Sequence, residues 1–392
     1  MGGHYNVGLK ELRGDLAARK PPISVFYPTT SAPDPCGVDC IPFHDTQYLR
    51  GMARFAGVPF FLLRDLLFNR CCMRADAPPA QLFQEEGMPR PIAVFSHGYA
   101  GFPRLYNALL MDMAARGVVV FAVTHMDTSA SYCRDAGGSL HIPFIADTKW
   151  TTEATEPLLA MRVRETRNTI RGVRTGELLR SLGYTKEVVD RYLAMDQPIH
   201  LVGHSFGGAT AMVASLEEEK AAKDNKVPSP IASVVAYDPW GVPMKEDMFL
   251  RRLIDRKDPC HYTTPTLLFF SEAWIHDKAQ CDFFADAHNV ITMQEHTEEE
   301  AAVIDAANRK LKSQNATWYT RRDVYGTGHL SFTDAVLFSR VVHRKSYMKV
   351  APRASIVGFA HGTVQFMKTI AGPIPFGKDM ASDPALTAVF HR

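Results

Sequence analysis

Gly203-His204-Ser205-Phe206-Gly207 sets a serine between two glycines, directly after the apolar run Ile199 to Val202 and just before the apolar run Ala209 to Leu216. A strand that turns sharply into a helix lifts such a hydroxyl above the sheet, and the flanking glycines let strand and helix approach closely. The helix also aims its first amides at any negative charge developing nearby. The spacing by itself also fits an ordinary Gly/Ser turn; its strand and helix flanks favour a nucleophile. A serine hydroxyl is a poor nucleophile at neutral pH, so Ser205 needs a base, and the base needs an orienting acid. On a sheet that presents its nucleophile this way, the chain order is Ser, then Asp or Glu, then His.

Eight of the fifteen histidines follow Ser205. Among them His329 leaves a candidate strand through the glycine-rich loop Tyr325-Gly326-Thr327-Gly328-His329 and enters a helical pattern at Phe332. It is the candidate base, the plain alternative being a surface-loop histidine. Three carboxylates compete for the acid. Asp238 ends the apolar run Ile231 to Tyr237 and precedes Pro239-Trp240, whereas Glu272 and Asp277 follow the next run. Asp238 stands closest to a clean strand end, although each of the three also reads as an ordinary loop carboxylate. A tetrahedral oxyanion needs donors, each worth about 3 kcal/mol. The backbone amide of Phe206 is one candidate. The amide of Tyr99, in Ser96-His97-Gly98-Tyr99-Ala100-Gly101, is the other. His97 and His204 occupy the same tight turns and read as packing residues.

These groups must be held by elements, and the apolar runs supply them. Candidate buried strands are Ile23 to Tyr27, Ile92 to Ser96, Val118 to Val123, Ile199 to Val202, Ile231 to Tyr237 and Thr266 to Phe270, with Trp318 to Val324 a less apolar addition. Helical patterns fall at Leu105 to Ala115, Thr155 to Leu182, Ala209 to Glu219 and Phe332 to Val342. Such alternation predicts an α/β chain with a mostly parallel sheet, and the continuous apolar character of the middle strands predicts burial on both faces. No boundary suggests a second domain, so residues 1–392 read as one unit. A polar helical insertion is expected at about 278–314 and a C-terminal extension from about 345.

Composition narrows the classes. A net charge of +2, from 44 basic and 42 acidic residues, leaves no electrostatic reason to expect nucleic acid. Seven cysteines, an odd number without metal-like spacing, suggest reduced thiols rather than a disulfide frame. No metal or organic cofactor is called for. The N-terminus lacks the apolar core of a signal peptide, and no run approaches the roughly 18 apolar residues of a membrane span. A cytoplasmic setting is therefore expected. Gly2 could accept a myristoyl group, although Asn6 stands where Ser or Thr is preferred.

Taken in order, several segments resemble the platelet-activating factor acetylhydrolase family, calcium-independent phospholipases of the α/β-hydrolase superfamily. They are Phe95-Ser96-His97-Gly98, Arg104-Leu105-Tyr106, Asp112-Met113-Ala114, His125-Met126-Asp127-Thr128-Ser129-Ala130-Ser131, Gly203 to Thr210, Tyr237-Asp238-Pro239-Trp240, Leu268-Phe269-Phe270-Ser271-Glu272, and the Gly-x-x-His-x-x-Phe-x-Asp spacing from Gly326 to Asp334. The resemblance runs from about Gly8 to about Lys368. It implies Asp238 as the acid, Tyr99 and Phe206 as the oxyanion amides, and hydrolysis of the sn-2 ester of platelet-activating factor and related short-chain or oxidised phospholipids. A broader carboxylesterase or lipase with the same triad, and a catalytically silent lipid-binding relative, are the competing readings.

Two departures stand out: the stretch between Glu272 and His329 is longer than is usual in the family, and Tyr99 replaces a more usual leucine. The family also places an interfacial helix near Val58 to Arg70. That implies Phe60, Phe61 and Leu62, with Trp240 at the substrate side, as contacts to a lipid surface. By pattern alone the reading that the same residues face the core is favoured. Ile356 to Ile370 is a second, weaker interfacial candidate. The implied partners are a phospholipid and a membrane or lipid-aggregate surface; the oligomeric state is not readable from the sequence.

Overall fold

The computed structural model describes residues 5–84, 87–145, 150–245, 248–255, 260–345 and 348–371. The candidate acceptor Gly2 lies outside them. Nine strands form one central sheet: β1 Asn6–Leu12, β2 Ile23–Thr29, β3 Arg74–Ala75, β4 Ile92–Ser96, β5 Val119–Val123, β6 Ile199–His204, β7 Ile231–Tyr237, β8 Thr266–Ser271 and β9 Tyr319–Val324. Their spatial order is β9-β8-β7-β6-β4-β5-β2-β1-β3. Strands β4 to β9 run parallel to one another, and β2 is antiparallel to both β5 and β1.

Strands β4 to β8 are buried at every position, as strands covered on both faces must be. Edge strand β9 alternates instead and carries Arg321, Arg322 and Asp323, charges that discourage another chain from pairing there. The longer helices are α1 Thr46–Ala56, α2 Asn107–Ala115, α3 Thr152–Arg174, α4 Phe206–Asn225, α5 Lys278–Met293, α6 Glu298–Leu311 and α7 Pro352–Ala371. α2 packs with α7, and α3 with α4, over the middle strands.

The chain moves from β4 to β5 on one side and later returns to place β6 on the other side of β4. Ligands of open α/β sheets bind at such a switch, outside the carboxyl ends of the strands. Register sharpens the point: Ser96 pairs with Gly203, and His204 with Tyr237. The loops beginning at His97, Ser205 and Asp238 therefore leave the sheet side by side.

Several elements differ from the sequence reading. The long helix expected over Thr155 to Leu182 breaks after Arg174, because Gly176 takes a left-handed φ of 72° where an added Cβ would meet Val189 at 2.3 Å. The helix expected from Leu105 is preceded by a 3-10 turn, Pro103–Tyr106, and the one from Phe332 is split into short helical turns. β1 and β3 had no distinct apolar signal. Insertion residues 278–314 form α5, α6 and a 3-10 turn between β8 and β9. The proposed interfacial helix is a 3-10 segment, Phe60–Leu66, with Leu63 and Leu66 buried, Phe60 and Phe61 exposed and Leu62 half-buried. The second interfacial candidate falls in α7, which buries Ile356, Phe359, Val364 and Met367 in the core. All seven cysteines are unbridged.

Candidate active site

Ser205 sits at the turn from β6 into α4 with φ 56° and ψ −118°, a left-handed φ that few non-glycine residues adopt. Close packing enforces the turn. A Cβ on Gly203 would lie 2.0 Å from the Gly207 carbonyl oxygen, and one on Gly207 would lie 1.9 Å from that of Ser96. The Ser205 amide donates to Tyr237 O at 2.8 Å, and the Trp240 amide donates to Ser205 O at 3.0 Å. The serine turn is thus pinned to the end of β7 on both sides.

Asp238 begins the loop after β7, is fully buried and also has a left-handed φ, 41°. Its amide donates to Phe269 O at 2.8 Å. Its carboxylate accepts three bonds: from the Ser271 amide on Oδ1 at 2.7 Å, from the Ser271 hydroxyl on Oδ2 at 2.6 Å, and from His329 Nδ1 on Oδ2 at 3.0 Å. With Nδ1–H held by Asp238, Nε2 is the imidazole's free acceptor. Trp274 stacks on the ring with centroids 4.2 Å apart and planes 9° off parallel, and its indole N–H is tied to Pro239 O at 3.0 Å.

The other two acid candidates are occupied elsewhere. Glu272 accepts from the Gly326 amide at 2.6 Å and pairs with Lys349 at 3.0 Å. The Gly326 hydrogen bond leads the causes holding its carboxyl below the usual range. It clasps the loop that carries His329 without touching the imidazole. Asp277 caps α5, accepting from the Gln280 amide at 3.1 Å. Of the three candidates, Asp238 is the one whose carboxylate contacts the His329 ring.

His204 does more than pack. Its Nε2 is 2.9 Å from the His329 carbonyl, an obligatory acceptor, so Nε2 carries the proton. Nδ1 then accepts from the Tyr106 hydroxyl at 2.8 Å, and the Tyr106 oxygen accepts from the Gly98 amide at 3.0 Å. Burial, reinforced by His329, keeps the His204 pKa well below the ordinary value, so the chain of bonds stays neutral and directional. It runs from the loop bearing Tyr99 to the loop bearing His329.

Buried Arg162 braces the same region from beneath. It donates to Asp127 at 3.0 Å and to the His97 carbonyl at 2.5 Å, while its guanidinium lies 4.4 Å from the Phe206 ring centre. One cation therefore touches residues beside both candidate oxyanion amides, Tyr99 and Phe206. The sequence reading gave no individual role to Tyr106, Arg162, Ser271 or Trp274, although Tyr106 and Ser271 fall within the segments that carry the resemblance. Of these only Ser271, at the carboxyl end of β8, stood where a strand-end signal could have flagged it.

Ser205, His204 and His329 open into a cavity of about 330 Å³. Its walls are aromatic: Phe55, Tyr99, Trp150, Trp240 and Trp274, with Met52 and Leu63 beside them. Tyr99 and Trp150 rings meet at 5.2 Å, and Trp150 and Trp240 at 5.0 Å. No Lys, Arg, Asp or Glu lines it among the described residues. Phe60, Phe61 and Leu62 are not part of the wall; they lie on the outer side of the segment whose Leu63 is. Two further groups of potential metal ligands, Cys40 with Cys71 and Asp334, and His261 with His296 and Glu300, also stand apart from the cavity.

Residues 1–280 match the family described as "Platelet-activating factor acetylhydrolase, isoform II". Similar proteins named platelet-activating factor acetylhydrolase occur in Cavia porcellus, 26% identical over 63% of this chain and 56% of that protein, and in Gallus gallus, 26% identical over 63% and 61%. The chain thus spans little more than half the length of these relatives. A ferulic acid esterase from Streptomyces cinnamoneus shares the fold, with a TM-score of 0.60 and 18% identity over 95% of this chain and 93% of that one.

Proposed function

The chain belongs to the platelet-activating factor acetylhydrolase family, isoform II type, and from that premise we propose that it is a serine esterase acting on the sn-2 ester of platelet-activating factor and of related short-chain or oxidised phospholipids. The observation that carries the reading is the His329 Nδ1–Asp238 Oδ2 contact of 3.0 Å beside the cavity onto which Ser205 also opens. In this reading, Ser205 Oγ attacks the ester carbonyl while His329 Nε2 takes its proton. Asp238 holds the tautomer and offsets the imidazolium charge. The amides of Tyr99 and Phe206 receive the oxyanion. His329 then protonates the lysophospholipid oxygen as it leaves. A water, deprotonated by the same nitrogen, attacks the acyl-serine and frees the short acid.

Chemistry of this kind runs on the chain's own groups. The apolar cavity takes the acyl chain, and the charged headgroup stays outside it. Phe60 and Phe61, exposed beside the cavity mouth, dock on a lipid surface with Leu62, and exposed Arg64 and Arg70 meet its phosphates. Trp240 stands at the inner, substrate side of the same cavity.

A second reading, a broader carboxylesterase, draws support from the cavity lining, which holds no cationic side chain among the described residues to select a phosphate. One set of assays separates the readings. Ser205→Ala is expected to abolish both short-chain ester hydrolysis and fluorophosphonate labelling, with chelators leaving the wild type unaffected. Rates across acetyl, oxidised and long sn-2 chains, set beside triglyceride rates, then decide substrate class. Full activity in folded Ser205→Ala sinks the mechanism, and equal rates on triglyceride sink the phospholipid assignment.

A further inference from the structure

Far from the cavity, three side chains turn their ligand atoms toward one point. His261 lies just before β8, while His296 and Glu300 stand four residues apart where α5 gives way to α6. Their ligand atoms all fall within 4.8 Å of one another. His261 Nδ1 is 2.7 Å from Glu300 Oε2, and His296 Nδ1 is 3.9 Å from that same oxygen. Those values bracket the roughly 3.3 Å between neighbouring ligands of a tetrahedral zinc ion with bonds of about 2.0–2.1 Å.

Ordinary structure accounts for two of the three. Glu300 accepts from the Thr297 amide at 2.9 Å to complete a capping box, takes the His261 contact on the same oxygen, and faces Lys223 at 3.3 Å with the other. It does not account for His296. Both ring nitrogens of that residue are buried, and neither has a hydrogen-bond partner. The Ile291 carbonyl approaches without completing one. A buried imidazole with two idle nitrogens is costly unless something occupies them.

Two imidazoles and one carboxylate form a borderline nitrogen and oxygen donor set, suited to zinc rather than to calcium or magnesium.

We propose that His261, His296 and Glu300 bind one zinc ion, with water in the fourth position. The ion takes Glu300 Oε2 and His261 Nδ1, whose proton shifts to Nε2, and Lys223 keeps its place on Oε1. It staples the two-helix insertion to the segment that leads into β8. Gln294 makes the same connection with weaker bonds, donating to the carbonyls of Leu253 and Cys260 and accepting from the Tyr262 amide. None of the three ligands lines the cavity, so the role is structural and independent of the hydrolase reading.

The test uses the full chain, stripped with a chelator and titrated with zinc sulfate. Calorimetry is expected to find one equivalent bound and melting curves an upward shift. His296→Gln and His261→Gln are each expected to weaken binding by more than about 100-fold, beyond what loss of an outer supporting contact costs. Short-chain ester hydrolysis is expected to be the same with and without zinc. No zinc uptake by the wild type overturns the proposal, as does wild-type affinity retained in both variants. Cobalt(II) added to the wild type gives a check that needs no variant. Visible bands of tetrahedral nitrogen and oxygen ligation support the site, and an intense thiolate charge-transfer band, placing the metal on cysteines, overturns it.

Discussion

At the scale of single residues, Asp238 sits at zero exposure with three donors converging on its two oxygens. Two of the three come from Ser271, so the serine's backbone and hydroxyl aim the carboxylate before the imidazole arrives. Replacing Asp238 with Asn keeps the shape but offers an amide N–H or a weaker acceptor to His329 Nδ1, which favours the wrong tautomer. In an equivalent triad such a change lowers kcat about 10⁴-fold, and the same order is expected here, with Ser205→Ala as the floor. Glu272→Gln is the discriminating control. Glu272 holds the Gly326 amide and not the imidazole, so its loss should cost far less than Asp238→Asn. A reversal of that ranking, read from kcat on a soluble short-chain ester, moves the acid to Glu272. Pattern favoured Asp238 over Glu272 and Asp277 as the cleanest strand end, and the family resemblance implied it, although each of the three also read as a loop carboxylate. The contacts themselves were not legible because they reach across 91 and 33 residues.

Elements explain why those contacts form. The parallel order around β4 and the register of Ser96 with Gly203 and His204 with Tyr237 bring three loops to one edge, and the apolar runs made that much readable beforehand. Helix ends were less readable. Gly176 breaks a continuous helical pattern because α3 must stop where Val189 packs, a tertiary fact with no local signature. The loop after His329 is held by another non-local device. The Asp334 amide donates to Leu105 O at 2.7 Å, and its carboxylate accepts from the Ala108 amide at 2.9 Å, joining the His329 segment to the start of α2. Its second oxygen is buried without a partner. Burial accordingly raises the Asp334 pKa from 3.8 to about 7.

The sign follows from linkage. Between about pH 4 and pH 7 the unfolded chain releases this proton while the folded chain keeps it, so the group's contribution to stability falls as pH rises. About three units at 1.36 kcal/mol each give on the order of 4 kcal/mol across that window. Asp334→Asn cannot ionise and should flatten the pH dependence of denaturant midpoints between pH 4 and 7. An unchanged slope means the carboxyl is not held neutral.

At the scale of the whole molecule, the proposed phospholipid substrate resides in an aggregate, so a site at one sheet edge would have to reach a lipid surface. The cavity mouth and the exposed aromatics belong to one continuous stretch: α1 contributes Met52 and Phe55 to the wall, and the 3-10 segment that follows contributes Leu63. Outward from that wall stand Phe60, 37% exposed, Phe61, 56% exposed, and Phe68, 71% exposed. Arg50 lies over the Phe60 ring at 4.5 Å, which keeps a cation next to the apolar tip. The sequence presented an interfacial helix and a core helix as alternatives for this stretch. Its short 3-10 pitch serves both ends, since Leu63 and Leu66 turn inward while the phenylalanines turn out.

If this face docks on lipid, removing its apolar tips should change where the enzyme works and not how. Each phenylalanine moved from water into the interface contributes on the order of 1.5–3 kcal/mol. Phe60→Ser with Phe61→Ser is therefore expected to lower partitioning onto phosphatidylcholine vesicles by at least about 100-fold. Melting temperature and the rate on a monomeric short-chain ester should hold, because both side chains lie outside the buried core of the free protein and neither lines the cavity. Sedimentation with vesicles and the monomer rate, measured on one preparation, make the comparison. Undiminished partitioning moves the docking face elsewhere, and a fall in the monomer rate makes these residues part of the catalytic pocket instead.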